Sequence, residues 1–353
     1  MPSYKAHETT SRKPYTTGDP AEDQRIEDVL DAWGITLERH FYRDMLVTIH
    51  KLSRDQADSA DLRLMTTAMK ELRYADRVFA PYRSKRKVSV YGSARTRPGS
   101  PEYEQARHFA SLMIESDYMV ITGGGDGIMG AAQAGAGREH SFALNINLPF
   151  EQAANATILG DPKLINFKYF FTRKVNFLKQ SDAFVLCPGG FGTMDEGFET
   201  MTLMQTGKSP IVPLVLLDAP RGNFWSTFIR YLREHVLRDG LISEMDFNFI
   251  KVTDDPEVAR KEITHFYYNY HSARYVGETL VIRMHREVPP GALVRLQEDF
   301  QDILISNDSL NVCPALPQED NEPELAHLPR LCIQFDRKSY GRLRMLIDRI
   351  NHF

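Results

Sequence analysis

The side chains most able to do chemistry gather in one short stretch, Pro188-Gly189-Gly190-Phe191-Gly192-Thr193-Met194-Asp195-Glu196. Gly189, Gly190 and Gly192 allow a sharp turn and close approach of the backbone to a ligand. Residues Gly197 to Gln205 read as helix, and the free N–H groups at a helix start favour an anion. Glu196 then sets a carboxylate within a turn of that anion, and Thr193 adds a hydroxyl. Glu199, one helical turn further on, falls on the same face. Phosphate on the glycines with acid–base chemistry at Glu196 is one reading. The other is a capping box, with Thr193 as N-cap and Glu196 reaching back to it. Capping accounts for those two residue types but not for the glycines before them.

A second turn, Gly123-Gly124-Gly125-Asp126-Gly127-Ile128-Met129-Gly130, matches G-x-G-x-x-G between a strand and a helix. A dinucleotide site would also need an acidic residue about 20 positions on, at the end of the next strand. That strand end reads Asn145-Ile146-Asn147, which disfavours a nicotinamide cofactor and leaves a phosphate cradle. Tight strand–helix packing is the plainer explanation of the same glycines. Gly207-Lys208-Ser209 is not a P-loop, because Thr202 stands where its first glycine belongs. Arg173 and Lys174 sit near a helix start, where cations oppose the dipole unless an anion offsets them. Ser93 and Arg95, in Gly92-Ser93-Ala94-Arg95 after the first core strand, invite the same two readings: anion contact or surface. The eleven histidines show no metal-ligand spacing, and no serine or cysteine nucleophile motif occurs. Cys187 before Pro188 reads as a small buried strand residue.

Strands alternating with helices must position these turns. Expected strands are Val88–Tyr91, Tyr118–Ile121, Ser141–Ile146, Ile165–Phe170, Ala183–Cys187, Ile211–Leu217 and Phe247–Val252. Helices are expected over Pro101–Ser116, Ala131–Ala136, Thr172–Gln180, Phe224–Leu237 and Pro256–Tyr270, and a long polar loop over Asn147–Lys163. The alternation predicts an α/β, doubly wound, Rossmann-like parallel sheet. Ligands in such sheets bind at the carboxyl ends of the strands, where all three turns fall. Residues 1–21 are expected to be mobile and 22–84 to form a helical N-terminal segment, with Ile26, Val29, Leu30 and Trp33 on one face and Leu62, Leu64, Met65, Met69 and Leu72 on another. The basic run Arg83–Lys87 reads as a solvated linker. The nucleotide-binding catalytic domain is placed at 85–273. A small α+β domain of β-α-β-β-α order is expected at 274–353, its second strand at Ile303–Ile305.

Composition bounds the rest. The chain has 353 residues, 42% hydrophobic and 25% charged, as in ordinary globular proteins. Its formal net charge of −4 gives no reason to expect a nucleic-acid polymer as partner. Cys187, Cys313 and Cys332 are far apart and suggest neither a metal site nor a disulfide framework. No apolar run approaches membrane-spanning length, and the polar N-terminus carries no signal-peptide core, so a cytoplasmic location is expected.

Together these motifs resemble the Lonely Guy family of cytokinin riboside 5′-monophosphate phosphoribohydrolases. The family pattern P-G-G-x-G-T-x-x-E is present as Pro188–Glu196. The turn G-G-G-x-x-G-x-M-G appears with one fewer spacer, carrying Gly123, Gly124, Gly125, Gly127, Met129 and Gly130. Where the family usually shows Met-His-x-Arg-Lys, this chain has Phe170-Phe171-Thr172-Arg173-Lys174. The resemblance covers roughly residues 85–270. It implies hydrolysis of the N-glycosidic bond of a nucleoside 5′-monophosphate, AMP-like or a cytokinin riboside monophosphate, with Glu196 and Arg173 catalytic. It implies phosphate contacts from Ser93, Gly123, Gly124, Gly125, Gly127, Gly130, Lys174, Gly189, Gly190, Gly192 and Thr193. It implies no cofactor and no metal, and a homodimer or higher homo-oligomer. A nucleotide or molybdenum-cofactor carrier without turnover is the alternative on the same scaffold. The older family label, lysine decarboxylase, has no support here: no lysine lies in a recognisable pyridoxal-phosphate context.

Overall fold

The computed structural model describes residues 15–146, 154–305 and 309–353. Two compact units divide the chain at Glu71/Leu72. In the first, α1 (Pro20–Ala32) starts at Asp19, whose side chain accepts from the Ala21 N–H, with Pro20 at the first helical position. In α2 (Arg39–Arg54), Arg39 and Arg43 both pair with Glu27 of α1, at 2.8 and 2.9 Å. The helix α3 (Ser59–Phe79) begins in this unit and ends in the other. Leu30 and Val47 are buried, but Trp33, Leu62, Leu64, Met65 and Met69 stay exposed, so the expected apolar faces are only partly covered.

The second unit is built on a seven-stranded sheet ordered β4-β3-β2-β1-β5-β6-β7. Its strands are β1 (Lys87–Tyr91), β2 (Met119–Thr122), β3 (Ser141–Ile146), β4 (Leu164–Phe167), β5 (Ala183–Leu186), β6 (Leu214–Leu217) and β7 (Ile250–Thr253). Every neighbouring pair is parallel. Helices α4 (Pro101–Glu115), α5 (Ile128–Ala136), α6 (Phe170–Gln180), α7 (Phe191–Gln205), α8 (Phe224–Tyr231) and α9 (Pro256–Phe266) connect the strands. The strands alternate faces with period two. Ala183, Val185, Val215 and Leu217 pack with Phe109, Ala132 and Ile263, whereas Phe184, Leu186, Leu214 and Leu216 pack with Phe177, Met204 and Trp225. Both faces are therefore covered, and the expected doubly wound α/β fold is the one observed.

The C-terminal layer differs from the expected split βαβ unit. It is a four-stranded antiparallel sheet ordered β10-β11-β9-β8, made of β8 (Tyr270–Val276), β9 (Thr279–Met284), β10 (Asn311–Cys313) and β11 (Arg330–Ile333). The helices α10 (Pro290–Asp299) and α11 (Tyr340–Ile350) complete it, and Leu280, Ile282, Ile333 and Leu343 share one apolar core with the parallel sheet. The helix expected to reach Tyr270 stops at Phe266. The Asn351 carboxamide oxygen accepts from the Asn269 and Tyr270 N–H groups, at 2.9 and 2.8 Å, and holds the chain extended there. Ile303–Ile305 is no strand but a 3₁₀ turn followed by a single bridge from Leu304 to Phe335. The strand expected from Phe247 begins only at Ile250, because Asp246 accepts from the Ser243 N–H and a 3₁₀ turn runs Glu244–Phe249. Cys313 and Cys332 form a disulfide across β10 and β11, contrary to the sequence expectation. Nineteen residues of separation hid a contact made by strand pairing. Lys87 is no solvated linker residue either: it opens β1, buried, its Nζ donating to the Tyr82 and Lys85 carbonyls.

Candidate active site

The strand order reverses between β1 and β5. Chain leaving β1 turns one way towards β2, and chain leaving β5 turns the other way towards β6, which opens a crevice at their carboxyl ends. A cavity of about 1110 Å³ lies there. Its walls include Ser93 and Arg95 after β1, Gly123, Gly125 and Asp126 after β2, and Gly189–Thr193 with Glu196 after β5. Arg173 enters from α6. The three turns are tied together by backbone: Ser93 N–H donates to the Pro188 carbonyl at 3.1 Å, and Ile128 N–H to the Ser93 carbonyl at 3.0 Å.

The helix α7 begins at Phe191, with Gly190 as N-cap and no side-chain capping bond. Thr193 is thus inside the helix, and the capping box expected at Thr193 and Glu196 does not form. Nothing lies within 4 Å of where a side chain would project from Gly190 or Gly192, so both face open space. The first N–H groups of α7 have no helical acceptor and belong to residues lining the cavity. They make an anion site at the positive end of a fifteen-residue helix. Gly189 must lack a side chain, since a Cβ there would overlap the Thr193 hydroxyl.

Glu196, released from capping, lies buried and accepts from Arg173 Nη2 at 3.2 Å. Burial pushes its carboxyl up to about 7, a rise that Arg173 and Lys174 restrain and Glu199 and Asp195 assist. Lys174 is held by Asp195 at 2.8 Å and Glu199 at 3.1 Å. Burial works against its charge, but those two bonds more than offset it and raise its pKa. The cations at the start of α6 therefore find their counter-charge in carboxylates of α7. Arg173 keeps its Nε buried without a partner among the described residues. Its Nη1 lies 3.9 Å from where a Cβ on Gly123 would stand, so the glycine turn of β2 meets the Arg173–Glu196 pair.

Of the residues singled out in the sequence, Ser93, Gly123, Gly125, Arg173, Gly189, Gly190, Gly192, Thr193 and Glu196 come together on the cavity wall. Gly124, Gly127, Gly130 and Lys174 are not among its lining residues. Gly124 (φ +82°) packs towards Ala143. Gly127 (φ +63°) abuts the Ser93 carbonyl, where a Cβ would overlap. Gly130 stands behind the turn, with the Gly125 carbonyl 3.6 Å from its would-be Cβ. All three face the protein behind the turn rather than the cavity. Tyr91, Met129, Asn145, Ile146, Phe170 and Phe177 also line the cavity, and none of them was singled out as a site residue in the sequence. The signal available for Tyr91 and Asn145 was position, at the carboxyl ends of β1 and β3. Burial, then the Glu196 charge, holds the Tyr91 phenol protonated.

Fold and site together define a doubly wound α/β protein whose crevice is lined by a helix start and a buried carboxylate paired with an arginine. Residues 129–263 match the family model described as "Possible lysine decarboxylase". The cytokinin riboside 5′-monophosphate phosphoribohydrolase LOG of Oryza sativa subsp. japonica is 27% identical over 165 residues, 45% of this chain and 64% of that protein. The cytokinin riboside 5′-monophosphate phosphoribohydrolase LOG7 of Arabidopsis thaliana is 25% identical over 151 residues, 41% of this chain and 66% of its own length. The chain is similar to these Lonely Guy family proteins over part of its length and spans just under two thirds of theirs. Among solved structures, the molybdenum cofactor binding protein of Rippkaea orientalis aligns at 20% identity and a TM-score of 0.34, over 51% of this chain and 96% of that one. The Moco carrier protein of Chlamydomonas reinhardtii aligns at 19% identity and the same TM-score, over 51% and 98%.

Proposed function

We propose that the protein hydrolyses the N-glycosidic bond of a nucleoside 5′-monophosphate, giving free base and ribose 5-phosphate. The observation that carries this reading is the buried Glu196–Arg173 pair, 3.2 Å apart, on the wall of the same cavity as the helix α7 start. The N–H groups of Phe191, Gly192 and Thr193 take the 5′-phosphate, with the Thr193 hydroxyl beside them. Phe170, Phe177, Met129 and Ile146 offer apolar surface to a planar base. As the bond to the base lengthens, C1′ gains positive charge, by analogy with glycoside hydrolysis. The Glu196 carboxylate stabilises that charge and takes a proton from the attacking water. The hydroxyl goes to C1′, and the proton taken by Glu196 passes to the departing base. A carboxyl near 7 suits this task, because a general base works best with its pKa near the working pH. Arg173, with a spare N–H, orients the substrate and keeps part of the Glu196 population ionised.

Two relatives are named for cytokinin riboside 5′-monophosphates, so an adenine-type base is the first to try. Incubation with AMP and chromatographic detection of adenine tests the reading directly. A carrier on this scaffold would bind the nucleotide and release nothing. A homo-oligomer is part of the same proposal. Phe170, Phe171 and Val175 on α6 and Phe198 on α7 are about half exposed and would be covered by a second copy.

A further inference from the structure

Behind the glycine turn of β2 lies a buried carboxamide that the mechanism above does not use. Asn155 Nδ2 donates to the Gly124 carbonyl at 3.0 Å, to the Gly125 carbonyl at 2.9 Å and to Gln133 Oε1 at 2.5 Å. Its backbone N–H adds a second bond to the Gly124 carbonyl, at 2.9 Å. The amide cannot turn over. Its Oδ1 is engaged by the Thr157 N–H at 3.1 Å, and Gln133 Nε2 is committed to the Phe142 carbonyl at 3.0 Å. Gly130 packs against this arrangement, its would-be Cβ at an ordinary contact distance of 3.8 Å from the Asn155 Cβ.

Two consecutive carbonyls are thus drawn to one side, away from the cavity. In a planar trans peptide the N–H points opposite to the preceding C=O. The Gly125 and Asp126 N–H groups therefore point the other way, and both residues line the cavity. Neither N–H has a partner among the described residues. Gly124, at φ +82°, permits successive N–H groups to converge, the concave backbone arrangement that binds anions.

We propose that Asn155 is a positioning residue: by holding the Gly124 and Gly125 carbonyls it aims the Gly125 and Asp126 N–H groups at the phosphate of the substrate. The proposal rests on the nucleoside-monophosphate reading and is tested so that the two can fail separately. Calorimetry of the wild-type chain with ribose 5-phosphate comes first. No binding there overturns the functional reading, and this proposal with it. Given binding, Asn155→Asp keeps an oxygen for the Thr157 N–H but replaces the donor with a carboxylate facing two carbonyls. It is expected to raise KM for the monophosphate about tenfold, the scale of one charge-assisted hydrogen bond, with kcat unchanged. A general loss of structure would instead lower kcat. Unchanged KM, or a fall in kcat alone, overturns the positioning role. Should the variant not fold, ¹⁵N-glycine labelling of the wild type decides. The Gly125 amide resonance is expected to move on adding ribose 5-phosphate, and a stationary resonance in a protein that binds it overturns the proposal.

Discussion

Glu196 carries the acid–base chemistry of the proposal, and its environment makes two of its properties measurable. Glu196→Gln keeps the shape but cannot ionise, so base release should fall about 10²–10⁴-fold, the usual contribution of a positioned proton-transfer group. Ribose 5-phosphate binding should persist, because the glycine turns and the α7 start are untouched. The second property is stability. The folded carboxyl lies near 7 against 4.5 in an unfolded chain. Stability from this group is then full below about 4.5 and lost as pH rises through about 7, since the buried site disfavours the charged form. Above pH 7 the Glu196→Gln protein should be the more stable, by on the order of 3 kcal/mol at most. Urea unfolding of both proteins at pH 5 and pH 8 checks this, and an equal difference at both would show that ionisation is not the cause. Glu196 was legible in the sequence as a residue, but its state was not. The Thr193-x-x-Glu196 spacing fits a cap equally well, and only the early start of α7 at Phe191 removes that role.

At the scale of elements, α6 and α7 set the working pH of the site by facing a basic pair with three acids. Lys174 draws the Glu196 pKa down by the Coulomb effect of its charge, while Asp195 and Glu199, which hold it in place, push the other way. In Lys174→Met the rising limb of kcat/KM against pH, set by ionisation of Glu196, should move upward by several tenths of a unit to about one unit. A limb that stays in place would uncouple Lys174 from the carboxylate. The β2 turn contributes through its backbone. Gly127→Ala, at φ +63° and against the Ser93 carbonyl, should cost at least about 1–3 kcal/mol by urea unfolding. The sequence showed both turns and their place at strand ends, because glycine runs and apolar runs are local signals. It did not show which glycines face the cavity, since Gly125 and Gly127 differ only in what the fold brings behind them. Asn155 was invisible for the same reason: it sits in a polar loop, and its partners are 22–31 residues away.

At the scale of the whole molecule, the parallel sheet was readable from its alternation of strands and helices, and with it the crevice between β1 and β5. The C-terminal layer was not. Its pairing of β11 with β10 and β9 depends on long-range contacts, among them buried Arg283 and Arg330 gripping Glu319 at 2.5–3.0 Å and the Cys313–Cys332 disulfide. Closing that loop should contribute about 3 kcal/mol. Reductant should therefore lower the thermal midpoint of the wild type but not of Cys313→Ser, and equal midpoints would mean that the bond adds nothing. Light scattering at micromolar concentration should show a homo-oligomer, and a monomer would withdraw the second copy from the α6–α7 face. The central claim is tested most directly by one assay: the pure protein incubated with a panel of nucleoside 5′-monophosphates and scored for free base, beside its Glu196→Gln variant. The account predicts stoichiometric base and ribose 5-phosphate from at least one substrate, and near loss of both in the variant. Binding without base release, or equal release by both proteins, would contradict it.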